Sequence, residues 1–439
     1  MFDYYNEDDI DEMIYPIVER QIEINTFILV KIAERIKRIG ELLPSDINTL
    51  EQLAMTGADV RAINKKIAEV AQVQVKEIKK VIRKVAENVY ENAKPFFDYR
   101  KKPFIPFKEN EPVQQVVKAI QKETGGTYMN MAKAQAYMVR DPKNPKILLP
   151  TTPARTYQNS IDKAIQTVQS GVRDYQTTMR DTLKELADSG LKEVQYETES
   201  GKVHTQRMDT AVRRNLMDGV SMIGEEMQRV LGEQYGADGV EISVHACPAP
   251  DHQYVQGHQF TLAEYAKIAP MPTVQKDGSI DNSVYEPYKT PKDEDFDETD
   301  DNNWVYDVNH KRYTRFSRRI GTCNCMHFPY SIIIGQFDPN YTEQQLQDIL
   351  KENQKGVTVN GKHYTKYQAT QMQRKMETRI RRAKDEQMTM VAAGDKEGIR
   401  QAQDKIKQYT KEYKEFSAAA GLRPKMERTK VDGYKRVKI

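Results

Sequence analysis

The chain has little of several things its length would ordinarily supply. Of 439 residues only three are cysteine and one is tryptophan. Lys and Arg (67) nearly balance Asp and Glu (64), which leaves a formal charge of +3. Three cysteines, two of them one residue apart, make a poor disulfide framework and suit a reducing compartment or a metal site better. A near-neutral balance excludes a global nucleic-acid footprint, so any basic patch must be local. The most apolar run, residues 27–33, is interrupted by Lys31 and is too short to span a bilayer. The first ten residues are acidic and lack the basic-then-apolar order of a secretory leader. The expectation is an intracellular product that is not inserted into a membrane. Neither a Gly-rich phosphate loop nor a paired-carboxylate signature is present, so no enzyme class is announced by motif.

What is there is helical spacing. Apolar residues recur from Ile10 to Ile39, and Gly40 and Pro44 end the pattern. A second long helix carries Ile63, Ile67, Val70, Ile78, Ile82, Val85 and Val89 and is stopped by Pro95. A shorter helix from Val113 to Ile120 is expected to break at Gly125-Gly126. Residues 141–153 hold four prolines and read as a linker or an arm laid along a surface. A helical block follows from Ala154, with Ile161, Ile165, Val168, Met179, Leu183 and Leu186 inward and Gly190 closing it. Residues 192–206 switch to alternation around Glu199-Ser200-Gly201, the pattern of a β-hairpin. Helix resumes over 208–234, then a strand over 239–244.

Residues 270–303 form a long insertion, and seven of the ten residues 292–301 are acidic, so this segment buries little. Trp304 anchors the return, and residues 331–334 make a buried strand. Two tail helices follow. The first, Tyr364 to Ala392, has Met372, Met376 and Ile380 on one side and Arg374, Arg379, Arg381 and Arg382 on the other. The second spaces Ile399, Ala402, Ile406, Tyr409, Tyr413, Phe416 and Ala420 as a heptad seam. Residues 425–439 read as basic and extended. The expected architecture is mostly α with a small α+β domain, long helices and helical hairpins surrounding a small sheet. Its expected division is a helical domain at 1–140, a linker at 141–153, an α+β domain at 154–340 and a helical hairpin with a basic tail at 341–439.

The residues with chemistry are concentrated in two short segments, His245 to His258 and Gly321 to His327, which hold all the cysteines. Cys247, His252, Cys323, Cys325 and His327, with His245 beside them, exceed the four ligands a structural zinc takes. Their spacing, C-x4-H and then C-x-C-x-H, is not a standard zinc knuckle. The same residues also read as a hydrogen-bonded core where two loops cross, with the cysteines as small apolar side chains. A third reading makes His245, Asp251 and His252 an acid–base set and Cys323 or Cys325 a nucleophile, although no spacing here is diagnostic of a hydrolase. The arginines of the first tail helix, interleaved with glutamine, read either as a DNA-facing surface or as a solvated scaffold face.

Taken together, the motifs resemble one family. Ser243 to Gly257 reads S-x-H-A-C-P-A-P-D-H-x-x-x-Q-G, and Gly321 to His327 reads G-x-x-N-C-x-H. Tyr364 to Arg381 reads Y-x-x-Y-x-A-T-Q-x-Q-R-x-x-E-x-x-I-R, and Phe416 to Arg428 reads F-x-x-A-x-G-L-R-P-x-x-E-R. In this order they resemble the phage minor capsid protein 2 family of tailed bacteriophages, related to the Mu F-like head proteins, over roughly Val203 to the C-terminus. The matching positions are His245, His252, Gln256, Gly257, Asn324, Cys325 and His327. Where Mu F-like relatives set a C-x-x-C pair against a C-x-C pair, this chain has Pro250 in place of one cysteine and His252 two residues on. Since the sequence ends soon after Glu427-Arg428, the C-terminal toxin or nuclease domain of some relatives is not expected.

The resemblance implies a non-enzymatic head component at the inner portal vertex, made in the host cytoplasm and assisting head assembly and genome packaging or delivery. Its implied partners are the portal protein, the major capsid protein or other copies of itself, and packaged double-stranded DNA. No cofactor is demanded, structural zinc being the one these residues would hold. The competing expectation is a metal-dependent or cysteine hydrolase acting in head maturation or genome entry.

Overall fold

The computed structural model describes residues 7–41, 57–140, 143–144, 148–170, 175–197, 203–249, 252–253, 255–268, 273–274, 280–281, 306–307, 312–313, 320, 325, 327–336, 338–431 and 433–437. Most of these are helical, and the strands form small antiparallel sheets. The architecture is therefore mostly α with a little β, as the spacing predicts. Helix α1 is Glu7–Gly40, α2 is Ala58–Asn92, α3 is Lys94–Tyr99 and α4 is Glu111–Lys133. Strands β1 (Gln135–Arg140) and β2 (Leu148–Thr151) follow, then α5 (Pro153–Ser170), α6 (Tyr175–Ser189), β3 (Lys192–Glu197) and β4 (Val203–Arg207). Helix α7 (Met208–Tyr235) leads into β5 (Gly239–Ile242), β6 (Gln259–Thr261) and α8 (Leu262–Ile268). Among the described residues, two-residue ladders join β7 (Thr273–Val274) with β8 (Ile280–Asp281) within the insertion, and β9 (Tyr306–Asp307) with β10 (Arg312–Tyr313) after it. Then come β11 (Pro329–Ile332), α9 (Glu343–Lys355), β12 (Val357–Val359), β13 (Lys362–Tyr364), α10 (Lys366–Ala393) and α11 (Lys396–Ala419).

Two compact units are assembled from interleaved stretches. The first comprises Met1–Ile14, Lys76–Thr127 and Arg214–Gln371, and the second Tyr15–Val75, Tyr128–Arg213 and Met372–Ile439. The units do not divide at residues 140, 153 or 340, because α1, α2, α4, α7 and α10 each contribute residues to both.

In the first unit the sheet order is β11-β5-β6, with Ile242 opposite Pro329 and Val240 opposite Phe260. Val240, Ile242, Val255, Phe260, Tyr265, Ile320 and Cys325 form one buried cluster over it. The second unit holds the four-stranded sheet β2-β1-β3-β4 and the α10–α11 hairpin, whose seam residues Ala402, Tyr413 and Phe416 are buried.

Several expectations are corrected at the level of elements. The helix expected to stop at Gly125-Gly126 runs to Lys133. Thr124, Tyr128 and Met131 continue its buried stripe beyond Ile120, and that burial outweighs roughly 1 kcal/mol per interior glycine. Residues 148–151 are not linker but an edge strand paired with β1. The block from Ala154 is two helices, α5 and α6. The buried strand after the second motif segment is Pro329–Ile332, two residues earlier than expected. The tail past Lys425 is docked, with a 3-10 turn at Met426–Thr429 and with Arg428, Thr429 and Val431 buried. Helix α9 and the β12–β13 hairpin were not anticipated. Their signals were local: a capping box between Thr342 and Gln345, and Asn360-Gly361 in left-handed conformation at φ 53° and 77°. The acidic segment 292–301 and Trp304 lie outside the described residues.

Candidate functional site: a buried His/Cys cluster

Strand β5 delivers the chain to the first motif segment, and backbone bonds fold that segment back onto the strand's end. The Gly257 N–H donates to the Ile242 carbonyl at 2.7 Å, and the Ile242 N–H donates to the His258 carbonyl at 3.1 Å. Gly257 has φ +75°, a conformation that side chains rarely adopt, so the turn favours glycine, and Leu346 packs against its open face. The two motif segments then clasp each other. The Ser243 N–H donates to the Phe328 carbonyl at 2.8 Å, and the Phe328 N–H donates to Ser243 Oγ at 2.8 Å. From α7, Ser221 Oγ donates to the Cys325 carbonyl at 3.3 Å.

Inside this clasp His252, Cys325 and His327 are 2%, 9% and 1% exposed, and their ligand atoms lie within 4.8 Å of one another. Cys325 Sγ is 3.3 Å from His252 Nδ1 and 3.2 Å from His327 Nδ1. Gln256, also buried, sets the ring chemistry. The backbone N–H of His245 can only donate, so the Gln256 atom receiving it at 3.2 Å is the carbonyl oxygen Oε1. The same oxygen lies 3.3 Å from His327 Nε2, which must therefore carry hydrogen. In the neutral ring Nδ1 is then the bare nitrogen, and it faces the Cys325 sulfur. The His245 ring packs on His327 with centroids 4.3 Å apart.

This arrangement fits metal chemistry. Tetrahedral zinc separates a thiolate sulfur from an imidazole nitrogen by about 3.6 Å. The two S···N distances are a few tenths of an ångström shorter, so a small opening would make His252, Cys325 and His327 three of four ligands. Gln256 would be the partner that orients His327 from behind. Cys247, one of the six ligand candidates, is half-buried and lies outside this group. Cys323, Asn324 and Asp251 lie outside the described residues.

The α10 arginines do not share one environment. Arg379 is exposed, 3.6 Å from Glu412 and stacked over the Tyr409 ring at 4.2 Å. Arg374 is half-buried. Arg381 turns inward, donating to Asp209 at 3.0 Å and to the Arg428 carbonyl at 2.6 Å, and the Nε of Arg382 is buried without a hydrogen-bond partner. Here the second unit holds buried charges that were not singled out from the sequence. Asp209 also accepts from Arg207 at 3.2 Å. Burial pushes the Asp209 carboxyl up, but Arg207 and Arg381 outweigh it and leave it at about 2. Asp385, 0% exposed and bonded by Asn25 and Thr26, is raised by burial to about 6. Glu377, which accepts from the Tyr413 hydroxyl, is raised by burial to about 7. One signal was available: Glu377 lies three residues before Ile380, on the stripe that helical spacing marks as inward.

A family model described as Phage minor capsid protein 2 matches residues 6–418, so the match takes in the N-terminal helices as well as the motif-bearing half. No curated protein and no solved structure matches the chain.

Proposed function

The chain belongs to the phage minor capsid protein 2 family, a structural capsid family of the virion, and from that premise we propose that it sits at the inner face of the portal vertex. There it would assist head assembly and the packaging or delivery of the genome. Among the described residues no helix is long and apolar enough to cross a membrane. The observation that supports a structural part for the His/Cys cluster is its burial together with the clasp that Ser243 and Phe328 make across the two motif segments. A site that bonds two chain segments and hides its thiol from solvent is built to hold, not to turn over. We extend the proposal to a structural zinc held by His252, Cys325 and His327, which when bound would cross-link the two segments. Elemental analysis of the purified protein checks this: one equivalent of zinc is expected, and its absence would drop the metal.

The proposed partners are the portal protein, the major capsid protein or further copies of the chain, and packaged double-stranded DNA. Contact with DNA is proposed for Arg374 and Arg379, since Arg381 is engaged inside the second unit. A reconstruction of the portal vertex without imposed symmetry, with mass spectrometry of purified heads, tests the placement. Density for the chain against the portal is expected, and a chain missing from purified heads would overturn the proposal. A second reading, a cysteine hydrolase of head maturation, is favoured only by the close approach of Cys325 Sγ to two histidines.

A further inference from the structure

The tail that follows α11 is held to the second unit through its own main chain. Side chains along α10 donate to its carbonyls: Gln373 to Arg423 at 2.9 Å, Arg381 to Arg428 at 2.6 Å, Lys384 to Thr429 at 2.7 Å and Gln387 to Lys435 at 3.1 Å. From α11, Gln403 donates to the Val437 carbonyl at 2.7 Å. Among the tail's described residues only Arg428, Thr429 and Val431 are buried, so little apolar surface holds it in place.

A buried acid sits where the tail begins. Glu377 of α10 is 2% exposed and accepts from the Tyr413 hydroxyl at 2.9 Å. That hydroxyl in turn accepts from the Lys425 N–H at 2.7 Å, so one run of hydrogen bonds joins the acid to the tail. Arg381 follows Glu377 by four residues on α10, the spacing at which two side chains of a helix meet. Its Nη1 donates to the Arg428 carbonyl and its Nη2 to Asp209 and Thr378, while its Nε is buried without a hydrogen-bond partner. Arg374 of α10 and Arg213 of α7 also act on Glu377. Tyr15 of α1 and, through Tyr413, Glu427 of the tail are further titratable groups around it.

We propose that Glu377 is a pH-sensitive latch for the tail: neutral, it leaves the tail docked, and on losing its proton to solvent it draws Arg381 off the Arg428 carbonyl and releases it. Burial raises the Glu377 carboxyl to about 7, against the pull of Tyr413 and of the three arginines. An ion in that place needs charged donors or water. A guanidinium–carboxylate bond is charge-assisted and stronger than a bond to a neutral carbonyl, and Arg381 has a donor to spare. The tail can lift without breaking either helix of the hairpin, and lifting it opens the Tyr413 hydroxyl to water. The docked form holds the proton more tightly than the released form, so docking is favoured below about 7 and weakens as pH rises through that value. Nothing in this latch depends on the capsid role.

Hydrogen–deuterium exchange of the full-length protein at pH 6 and pH 8, corrected for the intrinsic pH dependence of amide exchange, tests it. The N–H groups of Lys425, Met426, Arg428, Lys430 and Tyr434 are bonded in the docked tail and report its release. Their protection should fall about tenfold from pH 6 to pH 8, the ratio that one proton with a folded pKa of about 7 gives over that range, while the amides of α11 stay protected. Glu377→Gln cannot ionise and should keep the tail docked at both pH values. Glu377→Met serves the same purpose if circular dichroism shows that the glutamine variant does not fold. Equal protection of the wild-type tail at the two pH values would overturn the proposal. So would the same tenfold loss in a folded variant, or a loss that α11 shares with the tail.

Discussion

In the first unit His252, Cys325, His327 and Gln256 satisfy one another through neutral groups, whereas in the second Asp209, Arg207 and Arg381 do so as charges. Both clusters are buried, and both tie together residues far apart in the chain. They differ in what happens when one member is removed. Loss of a neutral partner leaves a dipole without a bond, whereas loss of a charged partner leaves an ion in a low-dielectric interior. The charged cluster should therefore be the more fragile under mutation, and the neutral one the better suited to hold a metal.

The largest effect should come from Asp209→Ala, which strands Arg207 and Arg381 without their shared carboxylate. A loss of about 3–5 kcal/mol in chemical denaturation is expected. A loss below about 1 kcal/mol, the level of a surface pair, would erase the contrast between the two clusters.

Next comes pH. The folded pKa of Glu377 is raised from 4.5 to about 7. Its contribution is fully present below about 4.5 and is lost as pH rises through about 7, on the order of 3 kcal/mol in all. Asp385 acts in the same direction between 3.8 and about 6. Asp209 acts in the opposite direction, its contribution being lost only as pH falls from 3.8 towards about 2. Glu377→Gln should flatten the stability profile between pH 5 and 7. An unchanged slope would show that the carboxyl is not held neutral by burial.

The neutral cluster should respond more mildly. Gln256→Leu removes the acceptor of both the His245 N–H and His327 Nε2–H, at about 1–3 kcal/mol. It should also free the His327 tautomer, which ¹⁵N chemical shifts of the ring report directly. Retention of the Nε2–H form would contradict the role given to Gln256.

The two clusters were not equally legible in the sequence. Cysteine and histidine are scarce in this chain, so their concentration in two segments was itself information, and of the six ligand candidates His252, Cys325 and His327 come together. Gln256 and Gly257 were visible only through the family motif, because a glutamine taken alone has no chemistry that marks it. Asp209, Arg207 and Asp385 stayed hidden because 131 Lys, Arg, Asp and Glu residues give no contrast, and burial depends on long-range packing that local spacing does not encode. The long helices were read almost to their ends, since burial of Ile10, Ile14, Ile28, Ile32 and Ile39 imposes one period on the whole of α1. The path through Gly125-Gly126 was misread because tertiary burial overrode propensity.

The smallest effect sharpens the comparison from the surface. Arg379, exposed beside Glu412, should change stability by less than about 1 kcal/mol when replaced by glutamine. If it meets DNA, the same change should lower the salt slope of binding by about one. A larger loss of stability would mean that Arg379 belongs with the buried charges.

The central claim is that the His/Cys cluster is a structural joint of a capsid component. It is tested most directly by measuring the amount of Cys325→Ser protein in purified heads alongside the folding of the isolated chain. The account predicts that the variant is destabilised and depleted from heads. A variant that folds and enters heads at the wild-type level, in particles that then fail to mature or to deliver DNA, would contradict it and point to catalysis by Cys325.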